Sequence, residues 1–166
     1  MGIVVFGSYL LAYVEKFSIV VRMKRLSRVK IEWTPHFAYA IGLITTDGNL
    51  SIDGRHINFT SKDRALVETF KTCLQLQNKT GRKARGGTKI KRYYQVQFGD
   101  KNFYEFLLSI GLMPTKSKKL CDLRINMRYF ADFLRGCIDG DGSIGAFRHP
   151  ESKYPQIRLR LVSASV

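Results

Sequence analysis

Apolar and polar positions along the chain fall into helical and extended stretches whose order repeats. In "TPHFAYAIGLITTDG", which begins at residue 34, Phe37, Ala40, Ile41 and Ile44 recur at helical spacing. Thr34 is a good N-cap and Pro35 suits a first helical turn, so a helix is predicted from there to Asp47-Gly48. "NLSIDGRHINFTS" follows, with two strands predicted around a two-residue turn at Asp53-Gly54. Setting Ile52 opposite Arg55 pairs Leu50 with Ile57 on an apolar face that continues to Phe59. Asn49, Ser51, His56, Asn58 and Thr60 then share the other face.

The pattern next turns helical over residues 62–77, with Leu66, Phe70, Cys73 and Leu74 on one stripe. After a basic loop, "YYQVQF" alternates Tyr94, Val96 and Phe98 against Tyr93, Gln95 and Gln97, as a half-buried strand does. A helix over 100–111 closes the unit at Gly111. The predicted order is α-β-β-α-β-β-α, an α+β fold.

Then the pattern restarts. "NMRYFADFLRGCIDGDGSIG" (126–145) has the layout of the first helix: an apolar helix, a central glycine (Gly42, then Gly136), Asp-Gly, and a small polar residue. Asp141 stands 94 positions after Asp47, about one unit. The loop "RHPESKYPQ" leads to a strand placing Ile157, Leu159 and Leu161 on one face and Gln156, Arg158 and Arg160 on the other. The predicted organisation is an N-terminal extension (1–33), a first repeat (34–112), a linker (113–125) and an incomplete second repeat (126–166), related by a pseudo-twofold. The extension's apolar run stops at Glu15 and Lys16, short of the roughly 20 residues of a membrane span, and lacks the basic start of a signal peptide. A strand or helix appended to the fold accounts for it, as does a start codon set too early.

Charge changes the picture. The 28 Lys and Arg against 13 Asp and Glu give a net charge of +15, which favours a polyanionic partner, nucleic acid ahead of membrane. A ribosome-associated protein would carry the same balance. Three widely spaced cysteines, Cys73, Cys121 and Cys137, imply a reducing compartment, the cytoplasm or an organellar matrix, and no structural zinc. His36, His56 and His149 lack ligand spacing.

Two helices that each carry glycine five residues before a terminal Asp suggest a close seam at Gly42 and Gly136, with Asp47 and Asp141 brought together at its end. Carboxylates at close range repel unless a cation lies between them, and hard oxygen ligands suit Mg²⁺ (or Mn²⁺). Such an ion activates water and stabilises the leaving oxygen of a phosphodiester. An ordinary Asp-Gly turn explains either acid alone; the repetition in one setting favours a shared role.

"AIGLITTDG" (40–48) and "LRGCIDGDG" (134–142) both align with the nine-residue motif of the LAGLIDADG homing endonucleases, and the chain resembles the single-chain, two-motif type over about residues 34–166. The resemblance implies a metal-dependent, site-specific cut in double-stranded DNA. It implies a metal site at Asp47 and Asp141 beside Gly48 and Gly142, and sheets that track the major groove. Thr45 departs from the first acid position, where Asp139 stands in the second motif, and the second repeat lacks its back half. A basic residue that assists catalysis in this family has candidates in Lys62, Lys89 and Lys91. Asn49, Ser51, His56, Asn58, Arg158 and Arg160 are side-chain types that bond base edges. The stretch 79–92 carries seven basic residues, three glycines and no acid. Arg82, Lys83, Arg85, Lys89, Lys91 and Arg92 there are expected to grip phosphates from a flexible loop. The alternative is a non-cleaving binder: a splicing maturase, a regulator or an inactive remnant. A two-motif chain is expected to act as a monomeric pseudo-dimer, with dimerisation open to it through the uncovered sheet edge.

Overall fold

The computed structural model of the chain describes residues 27–84, 90–114 and 122–161. Helix α1 (Pro35–Asp47) starts where Thr34 accepts a hydrogen bond from the Phe37 amide. Strands β1 (Gly48–Leu50) and β2 (His56–Ser61), helix α2 (Arg64–Cys73), strands β3 (Gly81–Lys83) and β4 (Tyr93–Gly99), and helix α3 (Lys101–Ser109) complete the first unit. Its antiparallel sheet has the order β1-β2-β4-β3. A 3₁₀ turn (Met127–Tyr129), helix α4 (Phe130–Asp141) and a hairpin of β5 (Ser143–Phe147) and β6 (Gln156–Arg160) follow. The fold is α+β. Among the described residues no helix is long and apolar enough to cross a membrane.

Register explains the core. Leu50 pairs with Ile57, Gly48 with Phe59, Ile57 with Phe98 and Phe59 with Val96, so one sheet face is apolar. Phe70 of α2 stacks on Phe59 at 4.5 Å between ring centroids, and Phe103 of α3 lies 6.2 Å from Phe98. Every residue of α1 from Phe37 to Ile44 is buried, because the sheet with α2 and α3 covers one side and α4 the other.

Four expectations need correction. The β1–β2 connection runs over five residues (51–55), not two. Asp53 accepts from the Arg55 and His56 amides, Gly54 sits at φ +74°, and Ile52, with no apolar face to join, is 90% exposed. Helix α2 stops at Cys73, not 77. Gln75 turns left-handed (φ 54°), its amide and that of Leu76 bond the Thr72 and Lys71 carbonyls, and Leu76 folds back into the core. The basic stretch 79–92 is not all loop, since β3 lies within it. The last helix begins at Phe130, after the 3₁₀ turn.

Flanking residues join the first unit. Val29 is buried and Trp33 packs edge-on against Phe37 and Phe106. Asp100 caps α3 through Phe103 and also accepts from the amides of Arg28 (2.6 Å) and Val29 (2.9 Å), while itself 1% exposed. Leu123 and Ile125 pack on the core from the predicted linker. Asp100→Asn removes one acceptor oxygen and leaves a buried N–H unpaired, so the variant loses about 1–3 kcal/mol, checked by denaturant unfolding. Residues 1–26 lie outside the described residues.

Candidate functional site

Helices α1 and α4 lie against each other with no side chains between them at one point. A Cβ on Gly42 would stand 2.2 Å from the Phe133 carbonyl oxygen, and one on Gly136 would stand 2.2 Å from that of Tyr39. One turn on, a Cβ at Gly140 would meet Thr46 Oγ1 at 2.0 Å. The backbones therefore touch at Gly42 and Gly136, and one turn on the Gly140 backbone meets the Thr46 side chain.

Both helices end alike. Gly48 (φ −79°, ψ 155°) donates to the Ile44 carbonyl, and Gly142 (φ −77°, ψ 159°) donates to that of Ile138; each leads into a strand. Asp47 and Asp141 are the last helical residues, Asp47 half-buried and Asp141 exposed. At a helix C-terminus a carboxylate is disfavoured by roughly 0.3–1 kcal/mol, so both acids sit where local stability argues against them. Thr45 and Thr46 turn their hydroxyls back to the carbonyls of Ile41 and Leu43.

Asp139 is exposed at its carboxylate yet accepts a hydrogen bond from the Tyr39 hydroxyl at 2.7 Å. Burial, and then this bond, push the Tyr39 hydroxyl well above its ordinary range. The Arg135 guanidinium lies over the Tyr39 ring at 4.7 Å and pairs with Asp132. Asp139 also borders an open cleft of about 430 Å³ with Ser61, Lys62, Asp63 and Thr69. Of the three candidate assisting lysines, Lys62 thus shares a cleft with a residue of the second motif, its ammonium 5.7 Å from the centre of the Tyr93 ring. Lys91 is exposed before β4, and Lys89 lies outside the described residues. Among the described residues no group of three or more His, Cys, Asp or Glu is placed to hold a metal ion.

The sheet face away from the helices carries polar side chains in rows. Asn49, Asn58 and Gln97 stand side by side, as do Thr60 and Gln95, with Tyr93 next to Lys83. Ser51 lies just past β1; its carbonyl accepts from the Tyr104 hydroxyl. Arg82 lies in β3 opposite Tyr94, whose ring it covers at 5.2 Å, so it shares the helix-side face. Arg92 is exposed, and Arg85 lies outside the described residues. In the second hairpin Arg158 covers the Phe147 ring at 4.4 Å, and Arg160 pairs with Ser143.

At the sheet's tip the His56 ring bonds Asp53 and lies over Gly99, where a Cβ would be 3.3 Å away. The side-chain bond to His56 and then the His56 amide hold the Asp53 carboxyl down to about 2 from its ordinary 3.8. A depressed carboxylate contributes above its unfolded pKa and loses that contribution as pH falls through its folded one. The tie is therefore complete above pH 3.8 and gone only near pH 2. A carboxyl NMR titration is expected to show an Asp53 midpoint near 2 that returns toward 3.8 in His56→Ala.

Tyr39, Arg135 and the Thr46–Gly140 contact escaped the sequence reading. Comparing the two motif copies position by position exposes them, because Tyr39 matches Phe133 and Asp139 matches Thr45.

A family model for a LAGLIDADG-like domain matches residues 34–111. No curated protein matches the chain. Several solved structures are similar. Full-length DUF199/WhiA from Thermatoga maritima is 17% identical with a TM-score of 0.41, over 71% of this chain and 37% of that one. The I-LtrWI LAGLIDADG homing endonuclease bound to target DNA is 11% identical with a TM-score of 0.42, over 75% and 65%. I-DmoI in complex with DNA and Mn is 21% identical with a TM-score of 0.38, over 66% and 63%. The chain thus spans between 37% and 65% of the length of these structures.

Proposed function

We propose that this chain, whose residues 34–111 match a LAGLIDADG-like domain, is a site-specific, divalent-metal-dependent endonuclease of homing type that cuts double-stranded DNA. One observation supports this above the others. Two helices in backbone contact at Gly42 and Gly136 end in the same cap geometry, each on an aspartate that its own helix disfavours.

The donor set fits a hard cation: two carboxylates at accessible helix ends, with no thiolate or imidazole among them. Asp47 and Asp141 would hold Mg²⁺ or Mn²⁺ there, beside Gly48 and Gly142. Bound, the ion supplies charge neutralisation at the scissile phosphate and a more acidic water. The chain's own part is to aim the acids and to place the duplex. Lys62, in the cleft with Asp139, is the assisting cation of choice.

The polar rows of the first sheet, Asn49, Asn58 and His56 with Gln95 and Gln97, read base edges, Asn and Gln pairing with adenine. Lys83, Lys91, Arg92, Arg85 and Lys89 set affinity through phosphates, and Arg158 and Arg160 serve the second half-site. Arg82 contributes charge from the sheet's flank.

A non-cleaving binder is the second reading. The β5–β6 hairpin favours it, because Ile144 (68%) and Ile157 (83%) stand exposed on what is, among the described residues, a two-stranded sheet. A library of random duplexes incubated with the protein and Mg²⁺ separates the two. The nuclease yields cut ends sharing a recurrent sequence, lost with chelator and with the Asp47→Asn, Asp141→Asn double variant. The binder enriches a sequence without cutting it.

A further inference from the structure

The α1–α4 seam differs on its two sides. Tyr39 reaches across it to Asp139 at 2.7 Å, whereas the mirror contact would join Phe133 to Thr45, and Phe133 has no polar atom. Arg135 covers the Tyr39 ring, where the mirror position of that arginine is Ile41. The two helix ends are also built differently. The last turn of α1 carries Thr45 and Thr46, whose hydroxyls bond its own carbonyls. Under the same kind of cap, the last turn of α4 has Gly140 where α1 has Thr46, and glycine is the weakest helix former after proline. What α4 lacks internally, Tyr39 supplies from the neighbouring helix.

We propose that Tyr39 is a positioning residue for Asp141: its hydroxyl, by holding Asp139 across the seam, fixes the last turn of α4 and the carboxylate that ends it. This rests on the reading of Asp141 as a metal ligand. Tyr39 itself is buried in α1 and touches neither metal nor DNA in that reading. A partner that orients a ligand from behind changes metal affinity by roughly 10–100-fold. Here the bond acts two residues away from the ligand, so the lower end applies.

The test is Mn²⁺ binding to the full chain, followed by electron paramagnetic resonance, with Asp141→Asn as reference. Tyr39→Phe is expected to weaken binding about 10-fold and to speed amide exchange over 138–142 while α1 keeps its protection. Asp139→Ala should match it, and the Tyr39→Phe, Asp139→Ala double variant should be no weaker than either. Asp139→Asn, whose amide oxygen still accepts the bond, should bind within about twofold of the wild type.

Three results overturn the proposal. Tyr39→Phe binding within twofold of wild type, while Asp141→Asn abolishes binding, removes the positioning role and keeps the metal site. Asp139→Asn as weak as Asp139→Ala assigns the effect to charge, not to the bond. Asp141→Asn binding as well as wild type removes the metal reading, and the role of Tyr39 with it. If Tyr39→Phe fails to fold, the two Asp139 variants decide, because that side chain is exposed and its loss opens no core.

Discussion

With Asp47 and Asp141 both replaced by asparagine, metal-dependent cutting falls by about 10³-fold or more, while the protein still folds. The loss follows from electrostatics. Removing one preorganised charge-stabilising group from an active site costs about 10²–10³ in rate, and groups acting as a unit combine less than additively. The stability follows from the caps. Gly48 and Gly142 close the two helices by backbone hydrogen bonds to Ile44 and Ile138, so neither aspartate side chain is needed to end its helix. Neutralising each carboxylate relieves a repulsion of about 0.3–1 kcal/mol with the helix terminus. Duplex binding in chelator should hold or tighten, because two negative charges leave a chain of net charge +15. Cutting assays, thermal melts and filter binding on the wild type and the double variant check all of this. A double variant that loses stability together with activity would make the acids structural, and the nuclease reading would fail.

Much of this arrangement was legible in the chain because it repeats. The shared layout of residues 34–48 and 126–142 sets Gly42 opposite Gly136, and period-two alternation sets the pairing of Leu50 with Ile57. Misreadings came where tertiary contacts override local preference. Asp53-Gly54 is a strong two-residue turn signal, yet Asp53 spends its carboxylate on the amides of Arg55 and His56 and widens the loop. Helix α2 carries good helix formers past Cys73, but Leu76 gains more from the core than from another helical turn. Arg82 looked like a loop cation because charge runs usually mark loops. Only the pairing with Tyr94 shows that it turns to the helix side. Asp100 gave no signal beyond an N-cap, since its bonds to Arg28 and Val29 span 72 and 71 positions.

Replacing Gly136 by valine detaches α4 from α1 without melting the first unit. Two effects oppose each other at this position. Leaving glycine for alanine in a helix interior gains about 1 kcal/mol in propensity. Against that, the new Cβ would stand 2.2 Å from the Tyr39 carbonyl oxygen and 3.1 Å from the Gly42 Cα, both backbone atoms within a buried helix. A flexible side chain could swing away; these atoms cannot, so the helices must part. Overpacking of this kind costs about 1–3 kcal/mol and sometimes more, which makes Gly136→Ala a net loss of about 1 kcal/mol and Gly136→Val a loss of about 3 kcal/mol or more. The aromatic core of Phe59, Phe70, Phe98 and Phe103 lies on the far side of α1 and does not feel the change. Hydrogen exchange should therefore lose protection in α4 and β5–β6 while β2 and β4 keep theirs. Mn²⁺ binding should vanish with the seam, because the proposed site takes one carboxylate from the end of each helix and the seam alone sets how those ends lie. Full protection of α4 in Gly136→Val would mean that the seam is looser than backbone contact, and the paired-acid site would lose its structural basis.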